Sequence, residues 1–200
     1  MTAGWQPGGV GTTVAVVLAG GAGTRYAGPT PKLLAPLPDG TTVLGRAVTA
    51  ALAAEVGPVL VVTGAVAEPD LPAGVERVVN PDWAHGQATS LQIAVNWARD
   101  AGADAVIVGL GDQPGLVPEA WWAVAAATAT PLAIATYAGR RGHPVRLGAE
   151  VWDALPTTGD VGARDVLRSH PELVVEVPCP GDPADIDTVA DLDAWTGTDR

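Results

Sequence analysis

The stretch that most constrains this chain is Leu18 to Lys32, L-A-G-G-A-G-T-R-Y-A-G-P-T-P-K. It follows the all-apolar run Val14 to Ala19, which has the composition of a buried strand. Gly20, Gly21, Gly23 and Gly28 let the backbone turn tightly and bring its N–H groups against a ligand, so that successive donors converge on one anion. Arg25 and Lys32 add cations, and Lys32 is the only lysine in the sequence. A compact ammonium on a flexible stem at the end of a glycine-rich loop suits a phosphate whose charge moves. Better-known phosphate loops do not fit. A P-loop needs a glycine directly before the lysine, where Pro31 stands, and a dinucleotide fingerprint needs a third glycine where Tyr26 stands. The stretch reads as a nucleoside triphosphate cradle, with Leu18, Ala19, Gly20, Gly21, Gly23, Thr24, Arg25 and Lys32 at the nucleotide. The plain alternative is a strand-to-helix turn with two solvated cations.

The rest of the chain alternates apolar strands with amphipathic helices. Thr41 is expected to cap a helix over Val43 to Glu55, followed by a strand in P-V-L-V-V-T-G that ends at Gly64. Val75 to Val79 reads as a strand, and N-P-D-W-A-H-G-Q opens a helix reaching about Asp100. Asp104 to Gly109 is a strand, Pro118 starts a helix, and Leu132 to Tyr137 and Pro144 to Leu147 are strands. A short helix over Val161 to Arg168, a strand over Leu173 to Val177 and a last helix over Val189 to Trp195 complete the order. This pattern predicts a three-layer α/β/α fold on a mainly parallel, Rossmann-like sheet, in one domain over residues 1–200 with its core at about 13–195. In such sheets ligands sit at the carboxyl ends of the strands. The glycine loop, Thr63-Gly64 and G-D-Q-P (Gly111 to Pro114) all fall there.

A net charge of −11 argues against a nucleic-acid partner, since counterion release needs a basic face. Arg25, Lys32, Arg140, Arg141, Arg146, Arg164 and Arg168 lie in or beside the segments assigned to a site. No apolar run approaches the ~18 residues a membrane span needs, and M-T-A-G-W-Q-P-G-G lacks the marks of a leader, which places the chain in the cytoplasm. The tail from Thr196 is expected to fray. Cys179, the lone cysteine, carries no hypothesis.

Asp112 follows a buried strand in a glycine-flanked loop, where a carboxylate can hold Mg²⁺ against phosphate oxygens or simply bond its own turn. The segment D-P-A-D-I-D-T offers Asp182, Asp185 and Asp187, of which Asp187-Thr188 is also a good helix cap. Asn80, Trp83, Gly86 and Ser90 crowd into one turn and the helix start after it. His143, in R-R-G-H-P-V, has no nucleophile pattern around it.

These motifs together resemble the MobA-like nucleotidyltransferases, over about Val14 to Leu192. G-D-Q-P, N-x-x-W-x-x-G-x-x-x-S-L-Q, R-G-H-P-V, G-D-V-G-A-R and D-I-D-T-V-A-D-L are similar to the branch that acts as molybdenum cofactor cytidylyltransferase. The resemblance implies transfer of CMP from CTP to molybdopterin-bound molybdenum, with release of pyrophosphate. It implies Mg²⁺ held by Asp112 and Asp187, with Arg25, Lys32 and Asp112 as the catalytic set. It also implies nucleotide contacts from Gly64, Asn80, Gly86 and Ser90, acceptor contacts from His143 and Arg164, and a molybdenum hydroxylase as recipient. L-A-G-G and the six residues between Arg25 and Lys32 are nearer to guanylyl- and sugar-nucleotide transferring relatives, so the base stays open. An NAD(P)H-dependent oxidoreductase resembling nicotine blue oxidoreductase, and a non-catalytic cofactor carrier, are the readings from other classes.

Overall fold

The computed structural model describes residues 12–66 and 69–196. The expectations for M-T-A-G-W-Q-P-G-G, and for the tail beyond Thr196, lie outside them. Seven strands form one sheet in the order β3-β2-β1-β4-β6-β5-β7. They are β1 (Thr13–Ala19), β2 (Val59–Thr63), β3 (Val75–Val79), β4 (Ala105–Leu110), β5 (Leu132–Tyr137), β6 (Arg140–Gly148) and β7 (Val174–Pro178). The helices are α1 (Val43–Ala53), α2 (Gln87–Asp100), α3 (Pro118–Ala126), α4 (Arg164–Ser169) and α5 (Val189–Thr196). Every pairing is parallel except those of β6, which runs antiparallel to β4 and β5.

The alternation of side chains along the strands divides the core in two. Val14, Val16 and Leu18 pack with Leu91, Ala94 and Val95 of α2 on one face. Ala15, Val17 and Ala19 pack with Leu44 and Val48 of α1 and with Trp121 of α3 on the other. Because β1 lies between β2 and β4 with both its faces covered, all of Val14 to Ala19 is buried, which is why the run is apolar without alternation. The three-layer α/β/α architecture is the one expected.

Several local expectations need correction. Thr42, not Thr41, caps α1, its hydroxyl accepting from the Gly45 N–H at 3.0 Å. Thr41 instead turns to Asp39, with N–H and hydroxyl donating to one carboxylate oxygen at 3.0 and 2.6 Å. Helix α1 ends at Ala53, before Glu55, which sits in the left-handed region at φ 52°. The approach to α2 is a separate 3-10 turn, Trp83–His85, broken from the helix by Gly86 at φ 104°. Strand β4 starts and ends one residue later than expected.

The largest difference is β6. It is not a short strand over Pro144 to Leu147 but runs from Arg140, joined to β5 by a tight turn with Ala138 and Gly139 at φ 49° and 78°. Reversal of this one strand puts Arg140 to His143 at the carboxyl edge of the sheet and carries Arg146 toward the opposite end. There the Arg146 guanidinium donates to the Thr130 and Pro131 carbonyls, at 3.1 and 3.3 Å, so Arg146 leaves the group of site cations.

Candidate active site

The site is assembled where β1 and β4 end side by side. The Gly111 N–H donates to the Leu18 carbonyl at 2.9 Å, so the loop carrying Asp112 leaves the sheet next to the glycine loop. After that loop the chain makes a 3-10 turn, Lys32–Leu34, fixed by the burial of Leu33 and Ala35. A small apolar cluster joins Ala35, Leu37 and Val43 to Ile186, and the Ile186 N–H donates to the Asp112 carbonyl at 2.9 Å. Asp187, the next residue, is thereby brought beside both loops from the far end of the chain.

The charged groups then meet. Lys32 Nζ donates to Asp112 Oδ2 at 2.6 Å and to Asp187 Oδ1 at 3.1 Å. Arg25 Nη2 lies 2.9 Å from Asp187 Oδ2. The Lys32 side chain is only 10% exposed, while that of Arg25 is 75% exposed, so the ammonium is enclosed and the guanidinium faces solvent. Burial works against the Lys32 charge, but Asp112 and Asp187 outweigh it and hold the ammonium above its ordinary value. Asp185 stands nearby, and burial together with the Asp112 charge pushes its carboxyl up.

Among the residues expected at the nucleotide, Gly21, Thr24 and Arg25 are exposed on the loop, with a turn closed by the Tyr26 N–H on the Gly23 carbonyl at 2.9 Å. Leu18, Ala19 and Gly20 are buried beneath it. Gly64, Asn80, Gly86 and Ser90 form its support. Gly64 lies so close to the Gly20 backbone and to Trp83 that a Cβ would come within 2.5 Å of the Gly20 carbonyl oxygen. Asn80 is buried and directs its amide to the Thr89 and Ser90 hydroxyls at 2.8 and 2.9 Å, while its carbonyl oxygen accepts from the Asp82 N–H at 2.9 Å. Gly86, besides its positive φ, abuts the backbone of Gly159 so closely that no side chain fits. These residues engage one another and brace the loop from behind.

Beside the charged cluster lies a cavity of about 1030 Å³, whose lining includes Arg140, Arg141, Arg164 and Arg168 together with Gln113 and Asp185. His143 is in it, its carbonyl fixed by the Tyr137 hydroxyl at 2.7 Å. Burial pushes the His143 imidazole down to about 4, Asp112 pulls it the other way, and Arg164 adds to the lowering. The imidazole is therefore neutral at physiological pH, and the cations of this cavity are arginines. His143 of β6 and Arg164 of α4 thus line one cavity. Asp185 is one of the three carboxylates that D-P-A-D-I-D-T offers, passed over in favour of Asp187, whereas Gln113 has as its one signal in the sequence its place in a strand-end loop next to Asp112.

A stability consequence follows for His143. Its proton binds near pH 4 in the folded chain but near its ordinary 6.5 in the unfolded one. Between those values the unfolded state binds more proton, so stability falls as pH drops from 6.5 toward 4. The full shift corresponds to about 3 kcal/mol. Urea unfolding of the His143→Gln chain should show that much less loss over the window than the unsubstituted chain. Equal slopes would contradict the assignment.

Asp112 and Asp187 also suit a divalent metal: two hard oxygen donors face one point, where Lys32 now bridges them. Among the described residues no cluster of three or more metal-ligating side chains occurs. An ion such as Mg²⁺ takes one or two carboxylates and completes its shell with water and substrate phosphates. No helix among the described residues is long and apolar enough to cross a membrane.

A mainly parallel α/β/α sheet, with a glycine loop, a lysine and two carboxylates gathered at its carboxyl edge, defines a nucleotide-transferring scaffold. Residues 15–174 match the MobA-like NTP transferase domain, and the chain belongs to that family of nucleotidyltransferases. Solved structures agree. A homologue of Mycobacterium tuberculosis Rv0371c from Mycobacterium sp. strain JC1 is 31% identical with a TM-score of 0.81, covering 92% of this chain and 94% of that one. Rv0371c from M. tuberculosis H37Rv, solved in complex with manganese, is 28% identical with a TM-score of 0.79, covering 94% of this chain and 99% of its own. A nucleotidyl transferase from Methanothermobacter thermautotroptrophicus is 25% identical with a TM-score of 0.75, over 92% and 96% of the two chains. A comparison with curated proteins finds no match.

Proposed function

We propose that the chain, acting as one domain in the cytoplasm, transfers CMP from CTP to the terminal phosphate of molybdopterin carrying molybdenum and releases pyrophosphate. The observation that carries this reading is the meeting of Lys32, Asp112 and Asp187 beside an arginine-walled cavity. An oxygen of the acceptor phosphate attacks the α-phosphorus as the bond to the β-phosphate oxygen breaks. The electron pair leaves with pyrophosphate. Since the acceptor oxygen is already anionic, no protein nucleophile is needed. Arg25 and Lys32 bind the α-phosphate and the departing pyrophosphate, placing positive charge where negative charge develops. Asp112 and Asp187 would hold Mg²⁺, which supplies charge neutralisation at the triphosphate when bound. Arg164 grips the acceptor phosphate, and neutral His143 offers it a hydrogen bond. That a relative was solved in complex with manganese supports the use of a divalent ion. The product would pass to a molybdenum hydroxylase.

Pyrophosphate release tests this, measured with CTP, GTP, ATP and UTP, with and without molybdenum cofactor and Mg²⁺. Release that needs CTP, cofactor and metal together is the expected result. Release with GTP instead moves the base, and release with none of the pairs overturns the reading.

A further inference from the structure

The two carboxylates at Lys32 sit on loops that leave the ends of different strands, Asp112 after β4 and Asp187 well beyond β7. Their spacing depends on what ties residues 111–115 to residues 181–187. Two backbone bonds contribute: the Ile186 N–H to the Asp112 carbonyl and the Asp182 N–H to the Gly115 carbonyl, each 2.9 Å. Between them Gln113 reaches across, 4% exposed, its Nε2 donating to the Pro183 carbonyl at 2.9 Å and to Asp185 Oδ1 at 2.7 Å.

Gln113 Oε1 is buried and has no hydrogen-bond partner. An apolar side chain of the same length would fill this position without that penalty, and a glutamate would lack the donors and add charge beside three aspartates. What only the amide supplies is a pair of N–H donors aimed at the second loop. We propose that Gln113 is a positioning residue, whose two amide protons, held by Pro183 and Asp185, set the spacing at which Asp112 and Asp187 receive a metal–nucleotide. Asp185 in this arrangement is the acceptor of the tie and not a third metal ligand. The inference rests on the nucleotidyl-transfer reading above.

The test is Mn²⁺ binding to the full chain, followed by electron paramagnetic resonance in the presence of CTP, GTP, ATP or UTP, with thermal melting as a check on folding. Outer-sphere supports of this kind change metal affinity by about 10–100-fold. Gln113→Met and Asp185→Ala should each weaken Mn²⁺ about tenfold, and the double variant should be no worse than either alone, because both remove one interaction. Asp185→Asn keeps an oxygen for the same hydrogen bond and should stay within about threefold of the unsubstituted chain. If Asp185→Asn is as damaging as Asp185→Ala, Asp185 acts through its charge and the proposal falls. Unchanged Mn²⁺ affinity in Gln113→Met overturns it as well. The two Asp185 variants decide the matter even if Gln113→Met fails to fold. A chain whose unsubstituted form binds no Mn²⁺ with any of these nucleotides overturns the nucleotidyl-transfer reading and this proposal with it, an outcome distinct from binding that the variants leave unaltered.

Discussion

Replacing Asp112 by asparagine is expected to reduce pyrophosphate release about a thousandfold at saturating nucleotide. The substitution keeps the shape of the side chain and an oxygen to accept from Lys32 Nζ, now 2.6 Å from Oδ2. What it removes is one of two negative charges at the point where a divalent ion would meet the triphosphate. A thousandfold is about 4 kcal/mol of transition-state stabilisation, the order expected when one group that neutralises developing charge is lost. Folding should be nearly unaffected, because Asp112 is only partly buried and the backbone bond from Ile186 to its carbonyl remains. The measurement is turnover alongside melting temperature. Turnover within tenfold of the unsubstituted chain, with the fold intact, would show that the chemistry does not pass through this carboxylate. A non-catalytic carrier would release no pyrophosphate with either residue at position 112.

The sequence exposes what depends on hydrophobic patterning and strand ends. Leu132 to Tyr137 and Val75 to Val79 are strands with the expected limits, the first an apolar run and the second a valine-rich stretch that opens after a turn. Lys32 and Asp112 could be grouped in advance because the glycine loop and G-D-Q-P follow strands at the edge where such sheets bind ligands, whereas Asp187, nine residues past the end of β7, joined them only through the resemblance of D-I-D-T-V-A-D-L to the family's closing motif. Long-range register was hidden. Thr41 and Thr42 are equally good caps by composition, and only the two hydrogen bonds that Thr41 donates to Asp39 decide between them. The β5–β6 hairpin turns on a non-glycine residue at positive φ, Ala138, and its strand opens with R-R-G-H, which has no strand-like pattern; the reversal that removes Arg146 from the site was therefore invisible. The hydrogen bond from Gln113 to Asp185 joins residues 72 apart, and the only local sign of it is the place of Gln113 beside Asp112 in a strand-end loop.

Replacing Lys32 by methionine is expected to act in opposite directions on turnover and on metal binding. The methionine side chain keeps most of the apolar stem but removes the ammonium that bridges Asp112 and Asp187 at 2.6 and 3.1 Å. Loss of a cation placed against the leaving phosphates should lower turnover about a hundredfold or more. The same ammonium competes with a divalent ion for the two carboxylates, so without it they face each other with only Arg25 beside Asp187. Free Mn²⁺ should then bind the Lys32→Met chain about tenfold more tightly than the unsubstituted one, the effect of removing a positive charge at contact distance in a partly solvated site. Melting temperature should fall without metal, since a partly buried pair has lost its shared partner, and recover when Mn²⁺ is added. Lys32→Arg should not restore turnover, because a planar fork cannot take the place of a compact ammonium held between two carboxylates. Mn²⁺ titration and pyrophosphate release on the same preparations separate the two effects. A fall in both would mean that Lys32 organises the loop and does not share its carboxylates with a metal.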